Sequence, residues 1–219
     1  MRLGDLPVPL DGDALGSLLP GGGAWHVELG FGKGRYLLRR AAESPAERFL
    51  GIELAGEYFQ LAARRAARRG LRNLLLVHGD ALLLLSAVLP AGFAESVHVY
   101  FPDPWPKARH HKRRLFDPET VDLVLGLLRP GGRLSFATDF LAYGEQVHDI
   151  LAGYPGLDLR RTDAWPEGAR TNYEAKYLAE GRPILRLEAV TAAEARTLHP
   201  QGVQGVISAV AEAVSEAAG

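Results

Sequence analysis

The chain is as informative in what it lacks as in what it contains. Its 219 residues include no cysteine, which excludes disulfides, thiolate nucleophiles and cysteine-ligated metal sites. It has no apolar run near the roughly 18 residues of a membrane span. Its start lacks the basic and apolar regions of a secretory signal. No His/Asp/Glu spacing matches a metal site. We therefore expect a cytoplasmic protein without a membrane segment or a metal.

The chain also lacks an excess of charge of either sign, since its formal net charge is −1. Any polyanionic partner must therefore meet a local basic patch rather than a basic surface as a whole. Such a patch is present at residues 107–114, where lysines, arginines and two histidines cluster.

Apolar stretches alternate with helical patterns along most of the chain. Strands are predicted at 24–30, 48–54, 73–80, 96–103 and 132–139, and helices at 33–44, 56–70, 81–90, 118–132 and 144–154. Such alternation is typical of an α/β fold, with one doubly wound, mostly parallel sheet of about seven strands and helices on both faces. Two further strands, at 157–165 and 182–190 with no helix between them, predict an antiparallel pair at the sheet edge.

The predicted organisation is a short lead-in at 1–24, one domain at 25–190 and a C-terminal helical extension at 191–219. The extension is predicted because Val203, Val206, Ile207, Val210 and Val214 recur with helical spacing. Oligomeric state stays open between a monomer and a homodimer.

Acidic residues stand at or near the ends of five predicted strands: Glu28, Glu53, Asp80, Asp103 and Asp139. In open α/β sheets, ligands bind outside the carboxyl ends of the strands. The alternative is that each acid caps the following helix. That explanation suits any one of them better than it suits all five.

A glycine-rich loop, Gly30, Gly32 and Gly34, joins the first strand to the first of the predicted helices. Glycine there allows a ligand to approach the backbone closely. The spacing differs from the dinucleotide fingerprint, and Glu28 beside it disfavours a pyrophosphate and favours a cation. Glu53 suits the ribose hydroxyls, and Asp80 an adenine amino group. Together they indicate S-adenosylmethionine rather than NAD.

The stretch FPDPWPKARHHKRR, residues 101–114, follows the fourth strand. Pro102 and Pro104 restrict the backbone around Asp103, as a fixed carboxylate requires. Trp105 either stacks on a base or packs in the fold. The cations that follow form either a phosphate-binding loop or a solvated charged loop.

This stretch, with ELGFGKG, GIE, ATD and TNYE in the same order, resembles the bacterial tRNA (guanine-N7-)-methyltransferases over roughly residues 25–188. The resemblance implies a class I methyltransferase fold, S-adenosylmethionine as donor, and a guanosine in the tRNA variable loop as acceptor. Asp103 would be catalytic and would also join the cofactor site with Glu28, Gly30, Gly32, Gly34, Glu53 and Asp80. Substrate contacts would come from Lys107, Asp139, Thr171, Asn172, Tyr173 and Glu174. RNA contacts would come from Arg109, His110, His111, Lys112, Arg113 and Arg114.

Guanine N7 carries a free lone pair and no proton, so the reaction needs placement rather than a strong base. We hypothesise that Asp103 accepts hydrogen bonds from guanine N1–H and the exocyclic amine. Three alternatives stay open: a methyltransferase acting on another RNA site or a small molecule, a non-catalytic RNA-binding module, and a dehydrogenase. His26, His78 and His98 are expected to be structural.

Overall fold

Seven strands form one mixed sheet in the computed structural model, which describes residues 12–19, 22–107, 109, 114–118 and 120–193. The strands are β1 Trp25–Leu29, β2 Arg48–Glu53, β3 Leu74–His78, β4 Ala94–Tyr100, β5 Leu128–Thr138, β6 Leu157–Arg161 and β7 Leu185–Thr191. The helices are α1 Gly12–Ser17, α2 Arg35–Glu43, α3 Gly56–Arg68, α4 Ala81–Ala87, α5 Val121–Gly126, α6 Leu141–Ala152 and α7 Asn172–Ala179.

The sheet order is β3-β2-β1-β4-β5-β7-β6. Strands β1 to β5 pair in parallel, whereas β7 pairs antiparallel with both β5 and β6. The predicted α/β class, the doubly wound sheet and the antiparallel pair at its edge are therefore confirmed.

Helices cover both faces of the sheet, because parallel strands such as β1 and β2 are buried on both sides. On one face, Val27, Val97 and Phe136 belong to the large apolar core that includes α4, α5 and α6. On the other face, Phe49 packs in a smaller apolar cluster with Leu37 of α2 and other residues of α2 and α3.

Two predicted elements differ from the structure. The helix expected over 118–132 ends at Gly126, and β5 begins at Leu128 because this residue pairs with Ala94 of β4. The segment between β6 and β7, expected to hold no helix, contains α7.

Part of the predicted lead-in belongs to the described residues, whereas most of the predicted extension does not. The lead-in contains a short helix, α1, which the sequence pattern did not predict; its Leu15 is buried against the larger core. The predicted helix at 203–214 lies outside the described residues, and the three-part domain division stays a prediction. Among the described residues, no helix has the length and apolar character needed to cross a membrane.

Candidate active site

The carboxyl ends of the parallel strands bring the predicted acids to one edge of the sheet. Glu28 is the last residue but one of β1, and Glu53 is the last residue of β2. Asp80 is the N-cap of α4, where its side chain accepts a hydrogen bond from Leu83 N–H at 3.2 Å. Asp103 is exposed just after β4, and Asp139 directly follows β5. The topology therefore brings these predicted residues together.

The glycine loop has the left-handed backbone that glycine permits. The φ angles are 72° at Gly30 and 53° at Gly32, and a Cβ at either position would meet no atom within 4 Å. At Gly34, by contrast, a Cβ would lie 3.2 Å from Ala62 and Leu38. The first two glycines therefore leave open space over the loop, whereas Gly34 permits close packing of α2 on α3.

Glu53 holds this loop through one carboxylate oxygen and caps the backbone just after β2 through the other. Gly32 N–H donates to Oε2 at 2.7 Å, and Ala55 N–H donates to Oε1 at 2.8 Å. The bond from Gly32 connects the end of β2 with the loop after β1. The predicted contact of Glu53 with ribose hydroxyls stays a prediction.

Glu28 is the most unusual acid of the edge, being only 2% exposed. Its Oε2 is buried and has no hydrogen-bond partner within the described part of the chain. Burial raises the pKa of Glu28 to about 8, although a hydrogen bond with the Leu37 backbone acts in the opposite direction. An unpartnered buried carboxylate oxygen favours a positively charged ligand, because pairing offsets its cost of desolvation.

Next to Glu28, whose strand partner is His98, a chain of hydrogen-bonded polar side chains crosses β1 and β4; its members are buried except for the half-buried His26. His26 is hydrogen-bonded to Ser96 at 2.7 Å, Ser96 to His98 at 2.7 Å, and His98 to Tyr100 at 2.9 Å. Arg170 Nη1 donates to the Tyr100 hydroxyl at 2.7 Å. Burial holds the pKa of His98 well below its usual range. His26 and His98 are therefore part of a chain of hydrogen bonds that ends at Tyr100, and the bond between Tyr100 and Arg170 joins the sheet to the segment that precedes α7.

Arg170 anchors that segment. Its guanidinium lies 3.9 Å from the centre of the Trp165 ring, and its Nε donates to Glu167 at 2.7 Å. Although burial favours the neutral acid, the hydrogen bond from Arg170 lowers the pKa of Glu167. Sequence reasoning missed Arg170, because its partners come from β4 and from a loop that no local pattern connects.

The proline-bracketed turn after β4 is strained on both sides of Asp103. Phe101 has a φ of 53° and Trp105 a φ of 41°, values that are uncommon for bulky residues. Such strain persists only where surrounding contacts hold it and is frequent at functional sites. Asp103 itself is exposed, so its carboxylate is accessible to a ligand.

Arg114 holds this turn rather than facing outward. It is only 4% exposed, and its Nε donates to Pro104 O at 2.7 Å. The same guanidinium donates to Gln146 of α6 and lies 4.8 Å from the Tyr143 ring centre. The expected RNA contact by Arg114 does not fit this position, because the side chain is buried against α6. Lys107 and Arg109 are exposed, and the predicted RNA contacts His110, His111, Lys112 and Arg113 lie outside the described residues.

The TNYE segment begins α7. The Thr171 hydroxyl accepts a hydrogen bond from Glu174 N–H at 3.0 Å and caps the helix. Glu174, expected at the substrate pocket, is instead fully buried, where Arg186 Nε donates to its Oε1 at 2.7 Å. It is therefore a structural residue in this fold. Asn172 and Tyr173 are exposed, and Tyr173 is 46% accessible.

Asp139 is already paired at the edge of the site, since Arg182 Nη2 donates to its carboxylate. The Arg182 guanidinium also lies 4.0 Å from the ring centre of Tyr177. Phe101 is in ring contact with Tyr177, at 5.5 Å between ring centres, and with Tyr173, at 6.4 Å. Three aromatic rings and the Asp139–Arg182 ion pair thus lie where the strained turn meets α7.

The described residues contain no group of three or more His, Cys, Asp or Glu side chains arranged to hold a metal ion. A carboxylate-rich edge, an open glycine loop and exposed aromatic rings are the chemical features of the site.

Comparison with known proteins gives consistent matches. Residues 23–187 match the family model described as "Putative methyltransferase". A tRNA (guanine-N(7)-)-methyltransferase of Nitrosococcus oceani is 38% identical over 159 residues, covering 72% of this chain and 67% of that protein. An enzyme of the same name from Anaeromyxobacter dehalogenans is 41% identical over 178 residues, covering 78% of this chain and 87% of that protein.

A solved structure supports the fold. A 16S rRNA adenine-N1-methyltransferase variant from Catenulisporales acidiphilia, determined with its cosubstrate SAM, superposes with a TM-score of 0.58. It is 22% identical, and the match covers 87% of this chain and 94% of that one. At this identity the likeness shows the fold alone.

Proposed function

The chain belongs to the tRNA (guanine-N(7)-)-methyltransferase family, and from this premise we propose that it transfers a methyl group from S-adenosylmethionine to N7 of a guanosine in the variable loop of tRNA. The observation that carries the proposal is the buried Oε2 of Glu28, which has no hydrogen-bond partner among the described residues and lies beside an open glycine loop. Burial favours the neutral form of this carboxyl in the free protein, and a positively charged ligand beside it would favour the ionised carboxylate.

The residues of the site fit this cofactor. S-adenosylmethionine, when bound, supplies an electrophilic methyl group on a positively charged sulfur. Glu28 would lie on the side of that charge, and the backbone at Gly30 and Gly32 leaves room for close approach. Glu53 would fix the loop and meet the ribose, and Asp80 would meet the adenine.

On the acceptor side, Asp103 would hold the guanine. Its carboxylate would accept hydrogen bonds from N1–H and the exocyclic amine, a pattern that adenine does not offer. The strained turn supports this role, because Arg114 and the flanking prolines fix the backbone on which the carboxylate stands. Holding N7 at one angle is mainly a matter of proximity and orientation, which supplies much of the rate when no proton must be removed.

The remaining acceptor contacts follow from position. The exposed ring of Tyr173 offers a stacking face at the start of α7. Thr171 and Asn172 lie beside it, and Lys107 is exposed to meet a phosphate. Asp139 would meet the substrate only by sharing or exchanging its pairing with Arg182.

A radiolabelled methyl-transfer assay on unmodified tRNA tests this function. We expect Asp103→Asn to lower kcat/KM by about 100-fold, as a misplaced reactant does. Asp158→Asn, which removes an exposed acid of β6, is the matched control and should keep wild-type activity. Equal activity of the two variants would contradict the role of Asp103, and failure of the wild-type protein to methylate tRNA would contradict the function.

A further inference from the structure

A groove with a volume of about 640 Å³ runs between α2 and α3 and meets the candidate site at Gly34 and Asn172. Among the described residues, four arginines and one acid, Glu43, line this groove. The arginines are Arg35, Arg39, Arg65 and Arg69. Arg35 and Arg39 lie four residues apart on α2, and Arg65 of α3 lies four residues before its C-cap Arg69, a separation of about 6 Å along a helix axis. The groove therefore presents two short rows of positive charge.

This charge is local. Residues 33–72 carry ten Lys and Arg against four Glu, whereas the whole chain has a net charge of −1. A chain with no overall excess of positive charge thus concentrates cations in the segment that contains these two helices. Like-charged side chains crowded together disfavour folding unless solvent or a polyanion screens them.

Arg39 gives an independent sign of a missing partner. Its Nε and Nη2 atoms are buried and find no hydrogen-bond acceptor among the described residues. The nearest acid, Glu43, lies 3.9 Å from Nε and is also paired with Arg40 at 3.3 Å. Buried guanidinium N–H groups without an acceptor are costly, and an anionic oxygen in the groove would satisfy them.

The groove is continuous with the acceptor side of the site. Gly34, the N-cap of α2 in the glycine loop, and Asn172, the first residue of α7, both line it. An extended polyanion in the groove would therefore reach the segment that carries Tyr173. Cations that line a groove beside a site for a nucleobase match a sugar–phosphate backbone better than a folded acidic protein.

We propose that the α2–α3 groove is a second RNA-binding surface, which holds the phosphate backbone of the tRNA beside the target nucleotide. The inference rests on the proposed function, because it takes RNA as the acceptor. It adds a surface distinct from the basic stretch at 107–114.

The test measures binding of unmodified tRNA by fluorescence anisotropy over a series of salt concentrations. Arg35→Gln with Arg69→Gln removes two exposed groove cations. Arg65 is avoided because it donates to Lys33 O at 2.9 Å. Arg64→Gln with Arg68→Gln is the matched control, since both are exposed arginines of α3 that do not line the groove.

We expect the groove variant to lower the slope of log K against log salt by about two, one for each arginine that no longer meets a phosphate. The control variant should keep the wild-type slope, and all three proteins should bind S-adenosylmethionine equally. An unchanged slope in the groove variant, or an equal change in the control, would overturn the inference. Displacement of tRNA by poly-glutamate at equal charge concentration would also overturn it, by indicating an acidic protein as the partner.

Methyl transfer separates this inference from the proposed function. If the wild-type protein methylates N7 of guanosine and the groove variant binds tRNA normally, the function stands and the inference is wrong. If the groove variant loses salt-dependent tRNA binding but the wild-type product is another nucleoside, the inference stands and the function is wrong.

Discussion

Replacing Glu28 by glutamine changes one buried carboxyl into a neutral amide of the same shape. In the folded protein this carboxyl is 2% exposed, and burial raises its pKa from 4.5 to about 8. The folded state therefore keeps a proton that the unfolded chain has already released near neutral pH. Wild-type stability should fall as pH rises from the unfolded toward the folded pKa, and the variant lacks this dependence.

The magnitude follows from the two pKa values. One pKa unit corresponds to about 1.4 kcal/mol. Linkage with an unfolded pKa of 4.5 and a folded pKa of about 8 gives a loss of roughly 2.5 kcal/mol in the free energy of unfolding between about pH 6 and about pH 9. The glutamine variant should gain this amount relative to wild type over the same interval.

Urea unfolding at the two pH values, followed by circular dichroism, measures this difference. Other titrating groups are common to both proteins and cancel when the variant is compared with wild type. Glu57→Gln removes an exposed glutamate of α3 and controls for the loss of one carboxylate as such.

The reasoning would be refuted by a constant difference between wild type and Glu28→Gln at both pH values. That result would show that the carboxyl is ionised in the folded protein across this range, with a partner that offsets its burial. A pH-dependent gain of equal size in Glu57→Gln would refute it as well.

Three further outcomes follow from the same structure. Glu28→Gln should weaken binding of S-adenosylmethionine in calorimetry but change binding of S-adenosylhomocysteine less, because only the former carries the sulfonium charge; equal weakening would contradict the charge argument. Glu174→Gln should lower the free energy of unfolding by about 3–5 kcal/mol, since Arg186 would remain as a buried unpaired charge. The control variant Glu180→Gln, at an exposed residue, should lower the free energy of unfolding by less than about 1 kcal/mol when both variants are unfolded in urea. If both variants lost the same free energy, the Glu174–Arg186 pair would be exposed to solvent. Tyr100→Phe should lower the free energy of unfolding by about 1–3 kcal/mol for each of its two partners, His98 and Arg170, that loses its hydrogen bond. An unchanged thermal unfolding transition would show that the hydrogen-bonded chain across β4 is not formed.

The order of strands and helices could be predicted because strands buried on both faces read as apolar runs, and helices between them keep their own period. The helix α7 was missed although a signal is present. Thr171 is followed three residues later by Glu174, the spacing of a capping box, and the Thr171 hydroxyl does cap the helix. Without that spacing, the polar composition of the residues that follow predicts a loop rather than a helix.

The sequence predicted which types of residue form the candidate site and that they lie at the carboxyl ends of the strands, since parallel strands bring these ends together. The orientation of single side chains could not. Glu174 points inward because Arg186 of β7 is twelve residues away in sequence and adjacent in space. Arg114 is buried because its acceptors belong to Pro104 and to Gln146 of α6. Neither partner is visible in a local pattern.

The alternation in β4 shows a related limit. Ser96, His98 and Tyr100 share one face of the strand, and period-two polar residues are typical of a solvated face. In the structure this face is buried, and Arg170 satisfies the chain of hydrogen bonds that it carries. Only the fold reveals that these polar groups form one connected set.

The measurement that tests the central claim most directly is identification of the methylated nucleoside. The purified protein is incubated with S-adenosylmethionine and unmodified tRNA, and the tRNA is then digested to nucleosides and analysed by mass spectrometry. The account predicts 7-methylguanosine from the variable loop as the product. A methylated adenosine, or 7-methylguanosine from another part of the tRNA, would contradict it.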